Sequence, residues 1–251
     1  MKNRFGLIGT GISHSKSPAL FSAAYSDPAF SYVLIDEETF EDALRVVRSE
    51  RIDGVNVTTP FKDEAFKNAS ERDALSERIE ASNLLLFENE KIICFNTDYY
   101  GVKDSISEFG NDDFKTLIIG CGGAGRAAAV AAIDCGHRVT IANRSIEKAT
   151  LFANKIGAAS LELSEVSPVL DEFHIIINTL SSKYTGVDFS LAAGKIIFDA
   201  NYNPLSKCSG INSSNIYIPG EKWLINQAIP SFRIFTRREP DINAMRLVVN
   251  I

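Results

Sequence analysis

The sequence predicts two α/β domains. Three observations carry this. The chain has 251 residues, enough for two modest domains at roughly 100–200 residues each. Short apolar segments alternate with amphipathic ones along most of its length, the pattern of strands joined by crossover helices. A polar stretch at residues 105–113 separates two such series and is the expected junction.

The elements are expected in this order. Residues 4–9 form a strand. Ser17-Pro18 opens a helix reaching about Tyr25, with Ser17 as N-cap and Pro18 in the first helical position. Residues 32–36 form a second strand. Phe40, Ala43, Leu44 and Val47 repeat at helical spacing through residues 40–50. Residues 54–57 form a third strand, and residues 61–79 read as helical. Strands at 84–87 and 92–95 flank Glu88-Asn89-Glu90-Lys91 as a hairpin. The second series starts with the apolar strand 117–119, of the kind buried inside a parallel sheet. Helix 123–135, strand 138–142, helix 145–156 and strands 175–177, 196–199 and 216–218 follow. A helix over 221–237 and a short helix from Asp241 end the chain.

Composition narrows the partners. The net charge is −6, with no basic run, which argues against nucleic acid and anionic membranes. Any anionic ligand must therefore meet positive groups placed locally. No stretch approaches the ~20 apolar residues that span a bilayer. The N-terminal apolar run is too short for a signal peptide. Cys94, Cys121, Cys135 and Cys208 form no CxxC pair and read as buried, reduced thiols of a cytoplasmic protein. His14, His137 and His174 form no metal-ligand pattern, so no metal is expected. Monomer and homodimer both remain open.

Gly120-Cys121-Gly122-Gly123-Ala124-Gly125 matches GxGxxG between an apolar strand and an Ala-rich helix. In that context the first glycine makes the turn and the second lets backbone approach a pyrophosphate. The third lets the helix pack against the sheet, and the anion sits on the helix N-terminus. The next strand ends in Asn143-Arg144-Ser145, with Lys148 one turn on and no carboxylate at 143–146. A ribose 2′-hydroxyl calls for a carboxylate there, whereas a 2′-phosphate calls for donors and positive charge. NADP is therefore expected over NAD.

Three N-terminal strings are harder to explain as packing. Ser13-His14-Ser15-Lys16-Ser17-Pro18 puts two hydroxyls in a strand-to-helix loop, where they suit a carboxylate, although such a string also serves as a turn and cap. Asn56-Val57-Thr58-Thr59-Pro60-Phe61-Lys62 ends a strand with one lysine near its tip. Such a lysine is ordinarily a solvated charge, and beside a cofactor it is an acid or base. Asn96-Thr97-Asp98 opens a helix, so Asp98 alone would read as its cap.

Together, and in this order along the chain, these strings resemble the shikimate dehydrogenase family from Gly9 to Ala228. Gly101, Arg126, Tyr202 with Pro204, and Gly220 with Gln227-Ala228 complete the match. The resemblance implies an N-terminal substrate domain with a mixed sheet (residues 1–99, completed by 224–251) and a Rossmann-type NADP-binding domain (residues 100–223), with the active site in the cleft between them. It implies that Lys62 and Asp98 form the catalytic pair. Ser13 and Ser15 would hold the substrate carboxylate, and Thr58, Asn83 and Gln227 the ring hydroxyls, with Tyr202 near the carboxylate. Gly120, Gly122, Gly123, Ala124, Gly125, Asn143, Arg144, Ser145, Lys148, Gly220 and Trp223 would line the cofactor site.

Three positions depart from the family pattern. Glu80-Ala81-Ser82-Asn83-Leu84 stands where the family usually has Gly-Ala-Val-Asn-Thr. Trp223 stands for a methionine near the nicotinamide, either reshaping that pocket or packing in the core. Lys148 stands for a frequent arginine. The expected reaction is reversible NADPH-dependent reduction of 3-dehydroshikimate to shikimate. The alternatives are a relative acting on quinate, a folate-type dehydrogenase and a non-catalytic NADP-binding sensor. The double-serine loop argues against the folate enzyme, and retention of both Lys62 and Asp98 against the sensor.

Overall fold

The computed structural model describes residues 3–25, 30–110, 113–181, 186–203, 205 and 207–251. The chain divides into two compact units, Met1–Asp98 with Ile225–Ile251, and Tyr99–Leu224. Pro204 lies outside the described residues.

The first unit is built on a mixed six-stranded sheet. Its elements run β1 (Asn3–Gly9), α1 (Ser17–Ala24), β2 (Phe30–Asp36), α2 (Phe40–Ser49), β3 (Gly54–Val57), α3 (Lys62–Asn68), β4 (Glu71–Arg72), α4 (Ala74–Ile79), β5 (Leu84–Glu88) and β6 (Lys91–Phe95). The strand order is β2-β1-β3-β5-β6-β4. β1 runs parallel to β2 and β3, while β5 is antiparallel to both β3 and β6. The hairpin turn between β5 and β6 puts Asn89 and Glu90 at φ 48° and 65°, the doubly left-handed geometry that suits strand twist.

The direction of each strand decides what meets at the sheet edge. The C-terminal ends of β2, β1, β3 and β6 and the N-terminal end of β5 all lie on one edge. The joints there are tight: Val57 N–H donates to the Asn83 carbonyl at 2.7 Å, Thr58 N–H to Ile8 at 2.9 Å, and Asn83 N–H to Phe95 at 3.2 Å.

One face of this sheet is covered by α2, whose stripe of Phe40, Ala43, Leu44 and Val47 packs with Ile8, Val55, Val57 and Phe61. The rest of the core is aromatic. Phe5 stacks on Phe235 at 4.6 Å and Phe21 on Tyr32 at 4.3 Å, with Phe232 5.7 Å from Phe30. Phe232 and Phe235 come from α8 (Gly220–Thr236), which begins in the second unit and ends in the first. The last helix, α9 (Ile242–Val249), is capped by Asp241, whose own N–H donates to Ala24 at the end of α1 at 2.9 Å.

The second unit follows α5 (Asp98–Ile106) and contains β7 (Lys115–Ile119), α6 (Gly123–Asp134), β8 (Arg138–Asn143), α7 (Ile146–Ile156), β9 (Ala159–Glu162), β10 (Ile175–Asn178), β11 (Ile196–Asp199) and β12 (Ile216–Ile218). All six strands are parallel, in the order β12-β11-β10-β7-β8-β9. This is the doubly wound Rossmann arrangement, with its switch point between β7 and β10. Ala127, Ala128, Ala129, Val130, Ala131 and Ala132 of α6 are all fully buried, so small side chains let that helix sit deep in the unit. Among the described residues, no helix is long and apolar enough to cross a membrane.

Four local expectations change. Lys16, not Ser17, is the N-cap of α1, and Ser17 is its first residue; the Ser15 hydroxyl accepts the Ser17 N–H at 3.2 Å. The run 61–79 is interrupted by β4, a two-residue exposed strand. β9 was not anticipated, because a partly exposed edge strand has no continuous apolar run. The polar stretch from residue 105 does not begin as a linker: Ser105 is buried in α5, bonded to the Gly101 carbonyl at 2.7 Å, and the units divide earlier, after Asp98.

Phe232 is fully buried, so Phe232→Ala is expected to lower the unfolding free energy by about 3–5 kcal/mol, measured by urea denaturation.

Candidate active site

The common sheet edge of the first unit gathers the chemistry. The loop after β1 carries Ser13 and Ser15, the loop after β3 carries Thr58 and leads to Lys62, Asn83 precedes β5, and Asp98 follows β6. Lys62 and Asp98, 36 residues apart in sequence, form an ion pair with Nζ 2.5 Å from Oδ2. Their side chains are only 14% and 6% exposed. Asp98 sits in the first turn of α5, where the helix dipole favours a carboxylate. Lys62 opens α3, where the dipole disfavours an ammonium.

Beside the pair lies a cluster of buried amides and hydroxyls. Asn83 accepts the Thr97 N–H at 2.6 Å on Oδ1 and donates from Nδ2 to Thr97 Oγ1 at 2.9 Å and to Gln227 Oε1 at 3.2 Å. Gln227 reaches this cluster from α8. These contacts fix the orientation of both amides. Ser13 is exposed and Ser15 half-buried. Their loop is held by Asp36 at the end of β2, whose two carboxylate oxygens accept the N–H groups of Gly11 and Ile12 at 2.7 and 3.0 Å. Glu80, at the departure from the family pattern, caps α4 with φ 58°, a left-handed position that explains a glycine there elsewhere. Ser82 closes the same turn by bonding the Leu84 and Phe95 carbonyls.

In the second unit the glycine turn joins β7 to α6. Gly120 has φ +106°, outside the range of other residues. A Cβ at Gly125 would fall 2.0 Å from the Gly120 carbonyl oxygen, whereas one at Gly122 would meet nothing within 4 Å. Gly123 and Ala124 form the first turn of α6, which has no side-chain cap and no acidic residue. That leaves its terminal N–H groups suited to an anion, as a dinucleotide diphosphate requires.

Asn143 at the end of β8 braces this turn, accepting the Cys121 N–H at 3.2 Å and donating to the Ser145 carbonyl at 3.1 Å. Ser145 caps α7 and also bonds the Glu147 carboxylate at 3.1 Å. Arg144 and Lys148 are exposed. Glu147 therefore brings a negative charge into the turn, one residue beyond the window read for carboxylates.

Tyr202 lies in the second unit, half-buried in the loop after β11. Fully buried Asp199 organises the start of that loop, accepting from Asn201 at 2.8 Å and from the Cys208 N–H at 2.7 Å. Burial, reinforced by the Asp199 charge, pushes the Cys208 thiol and the Tyr217 phenol well above their ordinary pKa values. Gly220 lets α8 start against backbone, since a Cβ there would come within 2.7 Å of the Ala200 carbonyl. Trp223 is 5% exposed, packs 5.4 Å from Phe198 and leaves no room for a Cβ at Gly101.

Sequence reasoning overlooked Asp36 and Ser231, and it quoted Asn56 and Thr97 only as parts of motifs. The Asn56–Ser231 contact spans 175 residues, and no local pattern announces it.

Comparison with known proteins gives a consistent picture. A family model described as the shikimate dehydrogenase substrate binding domain matches residues 7–85, and one described as shikimate / quinate 5-dehydrogenase matches residues 104–190. A shikimate dehydrogenase (NADP(+)) from Methanococcoides burtonii is 32% identical, covering 99% of this chain and 98% of its own. One from Methanosarcina barkeri is 31% identical with the same coverage. The crystal structure of shikimate 5-dehydrogenase from Thermus thermophilus, in complex with NADP(H) and shikimate, is similar with a TM-score of 0.84 at 25% identity, covering 99% of this chain and 98% of that one.

The glycine turn generates a contrast. Gly125→Ala is expected to destabilise by about 1–3 kcal/mol through overpacking, while Gly122→Ala, at φ −80° with open space, stays within about 0.5 kcal/mol of the parent. Thermal denaturation of both variants checks this.

Proposed function

Because the chain belongs to the shikimate dehydrogenase family, we propose that it catalyses the NADPH-dependent reduction of 3-dehydroshikimate to shikimate, and the reverse. The observation that carries this reading is the buried Lys62–Asp98 pair at the sheet edge that also bears the serine loop and the amide cluster.

The dinucleotide, when bound, supplies the hydride. Gly122, Gly123 and Ala124 at the N-terminus of α6 would hold its diphosphate, with Gly120 and Gly125 shaping the turn. Arg144 would hold the 2′-phosphate through its planar fork, with Ser145 and Lys148 beside it. Asn143 acts chiefly by holding the glycine turn. Gly220 keeps the start of α8 close to the backbone after β11. Of the two readings of Trp223, its burial favours packing within the second unit.

Ser13 and Ser15 bind the substrate carboxylate, on a loop that Asp36 holds by its backbone. Thr58, Asn83 and Gln227 bind the ring hydroxyls. As the ketone carbon receives hydride, negative charge grows on its oxygen, and Lys62 Nζ donates the proton that completes the alcohol. Asp98 aims that ammonium through Oδ2. In the reverse direction Lys62 accepts the hydroxyl proton. The four cysteines are free, which supports a reducing cytoplasmic setting.

The test is NADPH oxidation with 3-dehydroshikimate, run against quinate and NAD in the reverse direction. Turnover with kcat/KM higher for NADP than for NAD is expected, and no turnover with 3-dehydroshikimate overturns the proposal. Lys62→Ala is expected to cost about 10²–10⁴ in kcat with little change in KM. A loss confined to KM would make Lys62 a binding residue instead.

A further inference from the structure

We propose that Ser231 is a positioning residue for the substrate-binding amides, a role that rests on the dehydrogenase reading above. Ser231 lies one turn after Gln227 on α8 and is fully buried. Its single hydroxyl joins three segments. It donates to the Gln227 carbonyl at 2.8 Å, receives Asn56 Nδ2 from β3 at 3.0 Å, and lies 2.8 Å from Thr97 Oγ1, next to Asp98.

One arrangement satisfies the shortest of these contacts together. The Ser231 proton goes to the Gln227 carbonyl, so both oxygen lone pairs accept, one from Asn56 and one from the Thr97 hydroxyl. Thr97 Oγ1 is then the acceptor for Asn83 Nδ2, whose other hydrogen goes to Gln227 Oε1. Asn56 cannot turn over. Its Nδ2 faces the Asn83 carbonyl at 3.4 Å, and its Oδ1 takes the Tyr32 hydroxyl at 2.9 Å. Ser231 links the strand leading to Lys62, the turn leading to Asp98 and the helix carrying Gln227, the same three segments that Asn83 joins from the other side of the cluster. Replacing it leaves one buried Asn56 Nδ2 hydrogen short of an acceptor, and turns the Thr97 hydroxyl onto Asn83 Oδ1 at 3.2 Å or Gln227 Oε1 at 3.3 Å, where it competes with the bond between those two amides.

The experiment is steady-state kinetics of the full-length protein and of Ser231→Ala, Thr97→Val and the double variant, below the melting temperature of each. Ser231→Ala is expected to raise KM for 3-dehydroshikimate about tenfold, the scale of one lost buried hydrogen bond. The kcat should change by less than about threefold, and KM for NADPH should not change. Thr97→Val should do the same, and the double variant should be no worse than either single, since both cut one chain of bonds. If the alanine variant does not fold, Ser231→Cys keeps the volume with a weaker donor and acceptor and should shift KM in the same direction. Unchanged substrate KM in an active series, or losses that multiply, overturns the role of Ser231 alone. An inactive parent protein overturns the dehydrogenase reading, and this role with it.

Discussion

An ammonium and a carboxylate taken largely out of water cost several kcal/mol each in desolvation unless they face each other. Lys62 and Asp98 do so at 2.5 Å, and much of the first unit is arranged to keep them there. Lys62 follows the strand that pairs with β5, and Asp98 follows β6, which pairs with β5 from the other side. β5 is thus the ruler that sets the distance between the two charges. Its leading residues do this by backbone bonding: Asn83 receives Val57 N–H and donates to Phe95, and Ser82 N–H reaches the Lys62 carbonyl at 3.0 Å. The antiparallel step into β5 is what turns an otherwise parallel sheet into one whose edge can hold both partners.

A chain of net charge −6 that handles anionic ligands must concentrate donors rather than charge. The second unit does this with backbone. The first turn of α6 has no capping side chain and no acid, so its N–H groups face outward at the switch point of the sheet. The first unit presents the Ser13 and Ser15 hydroxyls on a loop whose backbone is itself held by Asp36. Exposed Arg144 and Lys148 supply charge beside the glycine turn, where Glu147 partly offsets it.

The sequence was most legible where one residue type has one physical use. Gly120, with φ +106°, and Gly125, pressed against it, follow from the spacing of the glycine motif. The α2 stripe follows from its period, and β7, β10 and β11 from their continuous apolar runs. Edge elements were not legible: β4 has two exposed residues and β9 no run of apolar ones, so neither carries a hydrophobic signature. Within the site, Lys62 and Asp98 each looked like an ordinary surface or capping residue, and only the family resemblance joined them. Ser231 and Asp36 were invisible because their roles depend on partners brought in by the fold. The same reason explains Ser17: a serine before proline looks like a cap, but the turn closed by the Ser15 N–H on Ile12 moves the helix start back by one residue.

The central claim is that Lys62 and Asp98 act as one unit rather than as two independent contributors. A kinetic double-mutant cycle over Lys62→Ala, Asp98→Ala and the combined variant tests it most directly, with kcat for 3-dehydroshikimate reduction as the readout. The account predicts strong non-additivity, the combined variant losing little more than the worse single one, because removing either partner already disables the pair. Losses that multiply across the cycle would show two separate functions and contradict the account.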